Sequence, residues 1–435
     1  MRDHRPPIDR RGFVKLAGLA GLAGAGMGLG GLLAGCGAGA TGASLSRRIR
    51  LGYVTPQTGS LAGFGEADSF VVGQMREHFK DGVKLGNTRY GVDIVVKDSQ
   101  SDPGRAATVA GDIIQRGVDL MLVSSTPETT NPVSDLCERR GVPCLSTVTP
   151  WQPWFFGRGG NPQRPFLWTA HFFWGLEDVI RVYESMWEQV PNNGKVAALF
   201  PNDDDGKAWG KQFPNVLRPH GFSFVDPGRY QSLSDDFSHQ IASFRQSGAE
   251  VLTGVPQPPD FATFWHQAAI QGFRPKIASV GKALLFPAFI EAIGPSANGL
   301  STEVWWTPSH PFRSSLTGQS TGALADDYTK RTGRQWTQPI GFVHALFEVA
   351  IDVLQRAGAS DKRAIAEALK TTKLRTIVGP LDWTAGPVHG VAKTPLAGGQ
   401  WRLGRDHPFE LVVVSNGGHP EIPAPGQLLP IGDAA

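Results

Sequence analysis

At 435 residues, with 42 Lys/Arg, 39 Asp/Glu and three cysteines, the chain is too long for one small domain and comfortable for two. Five of the Lys/Arg and two of the Asp/Glu lie in the first 35 residues, so the remaining 400 are formally neutral and present no basic field for nucleic acid. There is no CxxC pair, no HExxH and no Cys/His spacing for zinc, so neither a metal nor a cofactor is expected.

The N-terminal stretch reads as an address rather than as fold. Arg10-Arg11-Gly12-Phe13 and Lys15 precede a run from Leu16 to Ala34 that is apolar but diluted with Gly and Ala, and Leu33-Ala34-Gly35-Cys36 follows. A basic segment, a modestly hydrophobic segment and a small-residue site describe an export signal over residues 1–35. The paired arginines resemble the twin-arginine class, with Asp9 where Ser or Thr is more usual. Leu-Ala-Gly-Cys resembles the lipobox of bacterial lipoproteins, in which Cys36 would be lipidated and become the first mature residue. The run is nearly long enough for a transmembrane helix, but five glycines between 24 and 31 make it a poor one. Gly26 to Gly31 formally matches GxGxxG, yet no strand precedes it. Residues 36–47, rich in Gly, Ala and Ser, read as a tether.

From Arg48 the pattern alternates strand and helix. Ile49–Val54 and Tyr90–Val96 are strands, with helices over Asp68–Phe79 and Pro103–Arg116. Asp119–Val123 is an apolar run of the kind buried in a parallel sheet, and Ser124, Ser125 and Thr126 follow it. Pro132–Arg140 has helical spacing, with Gly141 as its C-cap. Val142–Leu145 is the next strand and also ends in hydroxyls, Ser146, Thr147 and Thr149, around Val148. Ligands of open parallel sheets sit outside the carboxyl ends of adjacent strands. These two loops are therefore either a polar half-site or ordinary helix caps. Cys137 and Cys144 flank the intervening helix-to-strand turn. In an exported protein a disulfide between them is expected, the alternative being two buried thiols.

An aromatic insertion, Trp151 to Pro165, leads to Phe166–Thr169 and the helix Leu176–Trp187. Trp151, Trp154, Phe172 and their aromatic neighbours either wall a small-molecule site or only pack the insertion. A second series follows: strands Lys195–Phe200, Ser223–Val225, Val251–Thr253 and Lys276–Val280, with helices Trp209–Leu217, Phe237–Gln246 and Phe261–Gln271 between them. After a return segment at 301–306 come helices Ile340–Arg356 and Asp361–Lys370, then short β segments. Two βαβ series with a break near 168 predict an α/β protein of two doubly wound lobes.

Two enzyme signatures fail on context. Gly318-Gln-Ser320-Thr-Gly322 matches GxSxG, but the polar residues before it are no buried strand. Asn202-Asp203-Asp204-Asp205 glances at a calcium loop, but Pro201 and Gln212 occupy its first and twelfth positions. It reads as a solvated turn near a cleft.

Four stretches carry a family resemblance. Tyr53–Gly65 (YVTPQTGSLAGFG), Lys97–Pro103 (KDSQSDP), Thr130–Leu136 with Gly141-Val-Pro143, and Thr376–Trp383 (TIVGPLDW) occur in the order found in the leucine/isoleucine/valine-type substrate-binding proteins of ABC importers. The resemblance spans roughly residues 48–415. It implies two Rossmann-like lobes joined by a three-strand hinge, with 48–168 and 304–396 forming one lobe and 169–303 and 397–425 the other. It also implies a non-enzymatic protein, exported or lipid-anchored outside the cytoplasmic membrane. Such a protein closes as a monomer on a small ligand and delivers it to permease subunits. A ligand-sensing receptor of the same fold is the alternative of another class.

Carried over by position, Phe64 would touch the ligand's apolar part. Ser124, Ser125, Thr126 and the Thr147–Thr149 loop would hold its carboxylate with neutral donors. In the second lobe Pro256-Gln257 falls near one ligand position, and Asp205 or Trp209 near another. Ser279-Val-Gly281-Lys282 brings Lys282 to the place of an acidic residue that holds an amino acid's ammonium. A lysine facing the cleft would repel an ammonium. The resemblance makes an amino acid or amino-acid-like carboxylate the expected ligand, and Lys282 with the tryptophans makes an amine-free aromatic or other acid, or an amide, the alternative.

Overall fold

The computed structural model describes residues 47–358 and 361–433. The export signal, Cys36 and the tether up to residue 46 lie outside them. No described helix is long and apolar enough to cross a membrane.

In chain order the first sheet receives β1 (Arg48–Thr55), β2 (Val83–Leu85), β3 (Thr88–Asp98), β4 (Leu120–Ser124), β5 (Cys144–Thr147) and β6 (Thr169–Phe172). The second receives β7 (Lys195–Leu199), β8 (Ser223–Val225), β9 (Val251–Gly254), β10 (Ile277–Val280) and β11 (Ser301–Val304). A hairpin, β12 (Lys373–Thr376) and β13 (Gly379–Asp382), stands apart. β14 (Val391–Ala392) returns to the first sheet, and β15 (Ala397–Leu403) and β16 (Phe409–Ser415) complete the second. The orders are β14-β6-β5-β4-β1-β3-β2 and β16-β15-β11-β10-β9-β7-β8. Among the described residues the antiparallel pairs are β2–β3 in the first sheet and β11–β15 and β15–β16 in the second; the other pairs of these sheets are parallel.

The helices are α1 (Asp68–His78), α2 (Pro103–Gln115), α3 (Pro127–Arg140), α4 (Trp151–Phe155), α5 (Leu176–Trp187), α6 (Asp204–Leu217), α7 (Ser238–Ser247), α8 (Pro258–Gln271), α9 (Pro287–Ile293), α10 (Thr321–Thr332), α11 (Pro339–Ala357) and α12 (Lys362–Lys370). Strand alternation explains how the first sheet is covered on both faces. Leu51, Tyr53, Leu120 and Leu122 join the core built with α1 and α11, whereas Val54, Met121 and Val123 join the core of α2 and α3. The predicted two-lobed doubly wound α/β architecture is the one observed. The chain passes between the sheets three times, after β6, after β11 and after β14. At the hinge, Lys393 ties the third passage to Glu177 (2.6 Å) and Asp178 (2.7 Å) at the start of α5.

Several expectations are corrected. The strand foreseen at Phe166–Thr169 is Thr169–Phe172 and pairs with β5, so the first crossing falls after Phe172 rather than at 168. Helix α3 begins at Pro127, five residues before the foreseen Pro132. Pro127 suits a first helical position, because its missing N–H is one of the orphans there. Gly141 does cap this helix, at φ 64°. Cys137 and Cys144 are free, buried thiols rather than a disulfide. The Cys137 thiol hydrogen-bonds to Cys144, which together with burial pushes it well above the usual thiol range. Ser320 of the GxSxG match N-caps α10, accepting from the Ala323 N–H at 3.2 Å.

Candidate functional site

The carboxyl ends of the two sheets face each other, and a narrow cavity with about 20 Å³ of free space lies between them. Its lining comes from both lobes. Phe64 (after β1), Thr126 (after β4), Val148 and Pro150 (after β5), and Phe173 and Trp174 (after β6) form the first wall. Asp205 and Trp209 on α6, Val255 after β9, Lys282 and Leu285 after β10, and Glu303 and Trp305 at the end of β11 form the second.

Most of the wall is apolar. The Phe64 ring stands edge-on to Phe286 of the opposite lobe at 4.9 Å and stacks on Trp305 at 6.2 Å. Phe173 packs edge-on against Trp305 at 5.0 Å. Within this wall the indole N–H groups of Trp174, Trp209 and Trp305 are buried with no acceptor among the described residues. An unpaired buried donor is costly, so three in one cavity suit a guest that brings acceptor oxygens.

The loop after β5 is held rather than offered. Thr147 donates its hydroxyl to the Phe172 carbonyl (2.7 Å) and Thr149 to the Ser125 carbonyl (2.7 Å). His171 bonds Ser146 Oγ through Nδ1 (2.8 Å) and the Thr149 carbonyl through Nε2 (2.7 Å). A carbonyl can only accept, so Nε2 carries the proton, and burial holds the ring neutral by pushing its pKa to about 3. These anchors support Val148 at φ 71°, a left-handed conformation that a β-branched residue rarely adopts. The strain presents the Val148 side chain to the cavity.

The second lobe has a matching strained point. Lys282 has φ 58° and ψ −60°, and the Ala283 N–H bonds the Gly281 carbonyl across it at 2.5 Å, forming a tight γ-turn. Its ammonium lies 2.9 Å from Asp205, 3.2 Å from Glu128 and 3.4 Å from Asp203. Glu128 belongs to the first turn of α3 in one lobe, and the two aspartates to the start of α6 in the other, where Asp203 N-caps the helix. The ion pair therefore spans the cleft. Burial alone would depress the lysine, but Asp203, Asp205 and Glu128 outweigh it and hold the ammonium well above its usual range. Burial raises Asp205 to about 7 and Asp203 to about 6 against the pull of Lys282. Burial also raises Glu303, which accepts from Tyr183 Oη (2.7 Å), Thr302 Oγ1 (3.0 Å) and the Lys282 N–H (3.3 Å).

Of the expected site residues, Phe64, Thr126, Val148, Asp205 and Lys282 meet at this cavity. Ser124, Ser125, Thr147 and Thr149 are buried just behind it without lining it. Trp151 instead donates to Glu177 at 3.2 Å near the hinge. Phe172 is in the core between Phe342 and Trp383, and its neighbour Phe173 takes the cavity. Gln257 starts α8 off the lining, which Val255 supplies. In the turn at Asp203–Asp205 only Asp205 is buried; Asp203 is half-buried and Asp204 exposed, so the expected solvated turn is overturned at Asp205 alone. Lys282 does face the cleft, but its charge is already taken. The insertion packs against β6 and the segment before it: Trp154 stacks on His171 at 4.8 Å, and the Arg158 guanidinium lies 4.0 Å from the Phe166 ring centre. Glu303 and Trp305 carry no motif; only the foreseen return segment at 301–306 hinted at them.

The family model described as periplasmic binding protein matches residues 48–406. A Leu/Ile/Val-binding protein homolog 2 of Brucella abortus (strain 2308) is 22% identical over 371 residues, covering 82% of this chain and 91% of that protein. The fold is that of a leucine-binding protein of Thermotoga maritima (TM-score 0.70, 17% identity, 84% and 99% of the chains covered). It is equally that of a solute-binding protein of an ABC transporter from Rhodopseudomonas palustris BisB5 in complex with 3,4-dihydroxybenzoic acid (TM-score 0.67, 14% identity, 87% and 99% covered).

Proposed function

The chain belongs to the periplasmic binding protein family, and from that premise we propose that it is an exported, Cys36-lipidated solute-binding protein. In this reading it captures a small organic carboxylate and hands it to the permease of an ABC importer. The observation that supports this best is the convergence of both sets of strand ends on one buried cavity with an aromatic wall and three unpaired indole donors. Neutral N–H and O–H groups in a buried cleft hold an anion more strongly than in bulk water, because solvent screens them less there. With about 20 Å³ free between the lobes, room for about one water, the cleft admits a guest only when the lobes part. Capture then works by shifting a hinge equilibrium toward the closed form, which the permease recognises.

The amine-free acid is the favoured guest, because Lys282 already fills the acidic corner of the cleft. An amino acid is the second reading, supported by the buried Asp205 Oδ1, which has no partner among the described residues. A thermal-shift screen of the purified protein separates them, using branched-chain amino acids, benzoates, cinnamates, short fatty acids and amides. A guest at a hundred times its dissociation constant adds about 2.7 kcal/mol of stability. Stabilisation by amine-free acids supports the favoured reading. No response to any carboxylate refutes both.

A further inference from the structure

Three carboxylates and one ammonium meet at the cleft, so the cluster is short of positive charge even with Lys282 in place. The Lys282 side chain is only 3% exposed, and its three partners come from two lobes. Asp205 is likewise buried, and its second oxygen Oδ1, beside the cavity, has no hydrogen-bond partner among the described residues. An acidic corner with a spare acceptor is a cation site by its chemistry, and here the cation is covalently part of the chain. Gly281 permits the approach: a Cβ there would lie 2.9 Å from Trp209 and 3.1 Å from the Glu303 carboxylate.

We infer that the Lys282 ammonium is a built-in occupant of a two-lobed cation site. There it bridges the lobes in the place a ligand's ammonium would take, and so determines that amine-bearing ligands are excluded. The inference rests on the reading of the cleft as the ligand site. Lys282 is thus a specificity-determining residue, and deleting its side chain should turn the corner into a receptor for small alkylammonium ions.

The test is Lys282→Gly, which removes the side chain and suits the positive φ at this position. The probe is n-butylammonium chloride, which matches the missing four carbons and nitrogen. In a thermal-shift titration against sodium chloride and tetramethylammonium chloride, K282G should melt below wild type. It should then recover saturably with butylammonium alone, while wild type does not respond. Lys282→Met, which fills the space without charge, should not recover. If K282G does not fold unaided, refolding yield in butylammonium against sodium chloride gives the same readout, and equal yields overturn the inference. A folded K282G indifferent to butylammonium overturns it too. So does a wild type stabilised by leucine but not by 4-methylpentanoate, its amine-free counterpart. Failure of wild type to bind any acid, with amine rescue of K282G intact, would instead remove the carboxylate reading alone.

Discussion

Gly63 and Phe286 belong to opposite lobes and touch only when the lobes meet, which makes Gly63→Leu a test of closure. A Cβ built at Gly63 would lie 2.8, 2.9 and 3.0 Å from three atoms of the Phe286 ring. That ring is 3% exposed and already packed against Phe64 at 4.9 Å, so it has nowhere to retreat. Gly63 does not have a positive φ, so leucine costs nothing in backbone strain. Overpacking of this kind costs about 1–3 kcal/mol, and here it is felt in the closed form alone. Taking about 2 kcal/mol, apparent ligand affinity should fall by about 30-fold, since each 1.4 kcal/mol is a factor of ten. The melting temperature without ligand should barely change. Small-angle scattering reads the lobe separation directly: wild type should contract on adding a bound acid, and G63L should stay expanded at the same concentration. Equal contraction with undiminished affinity would show that the Phe64–Phe286 contact is no part of closure, and the cleft reading would fail with it.

Other outcomes follow from single groups. Trp305→Phe keeps the apolar wall but deletes one unpaired indole N–H; calorimetry should show acid affinity weakened by about 1–1.5 kcal/mol, and an unchanged affinity would mean this donor does not meet the guest. His344 is buried against Ser314 (2.8 Å), and burial, with a smaller push from His78, lowers its pKa to about 3. Because the unfolded ring titrates near 6.5, its contribution to stability is full above that value and is lost as pH falls toward 3. Denaturant unfolding should therefore show the gap between wild type and His344→Gln narrowing by about 1.4 kcal/mol from about pH 7.5 to about pH 5.5; a constant gap would refute the neutral buried ring. Cys137 and Cys144 are free and buried, so reductant should leave the melting temperature unchanged and alkylation should reach both only on unfolding. A drop in melting temperature with reductant would restore the disulfide.

The fold was legible in the sequence because its signals are local. Runs such as Leu120–Val123 and Val251–Thr253 are buried on both faces in parallel sheets and so are apolar throughout. The helices between them carry their own periodicity and caps, as with Asp102 and Pro103 at the start of α2. The two hydroxyl-rich strand ends were legible for the same reason, although only Thr126 of those hydroxyl residues reaches the cavity.

Other features were set by tertiary structure alone. A one-residue step along the chain at the end of β6 exchanges Phe172, in the core, for Phe173, in the cavity, and composition cannot distinguish two adjacent phenylalanines. Glu303 gains its role from Tyr183, 120 residues away, and no local pattern records that distance. Lys282 shows the limit most sharply. Its place after β10 was readable, but the effect of its charge depends on Glu128, 154 residues earlier and in the other lobe. Side-chain charge is a property of a residue, but whether it repels a ligand or is spent on neighbours depends on which carboxylates the closed lobes bring within about 3 Å.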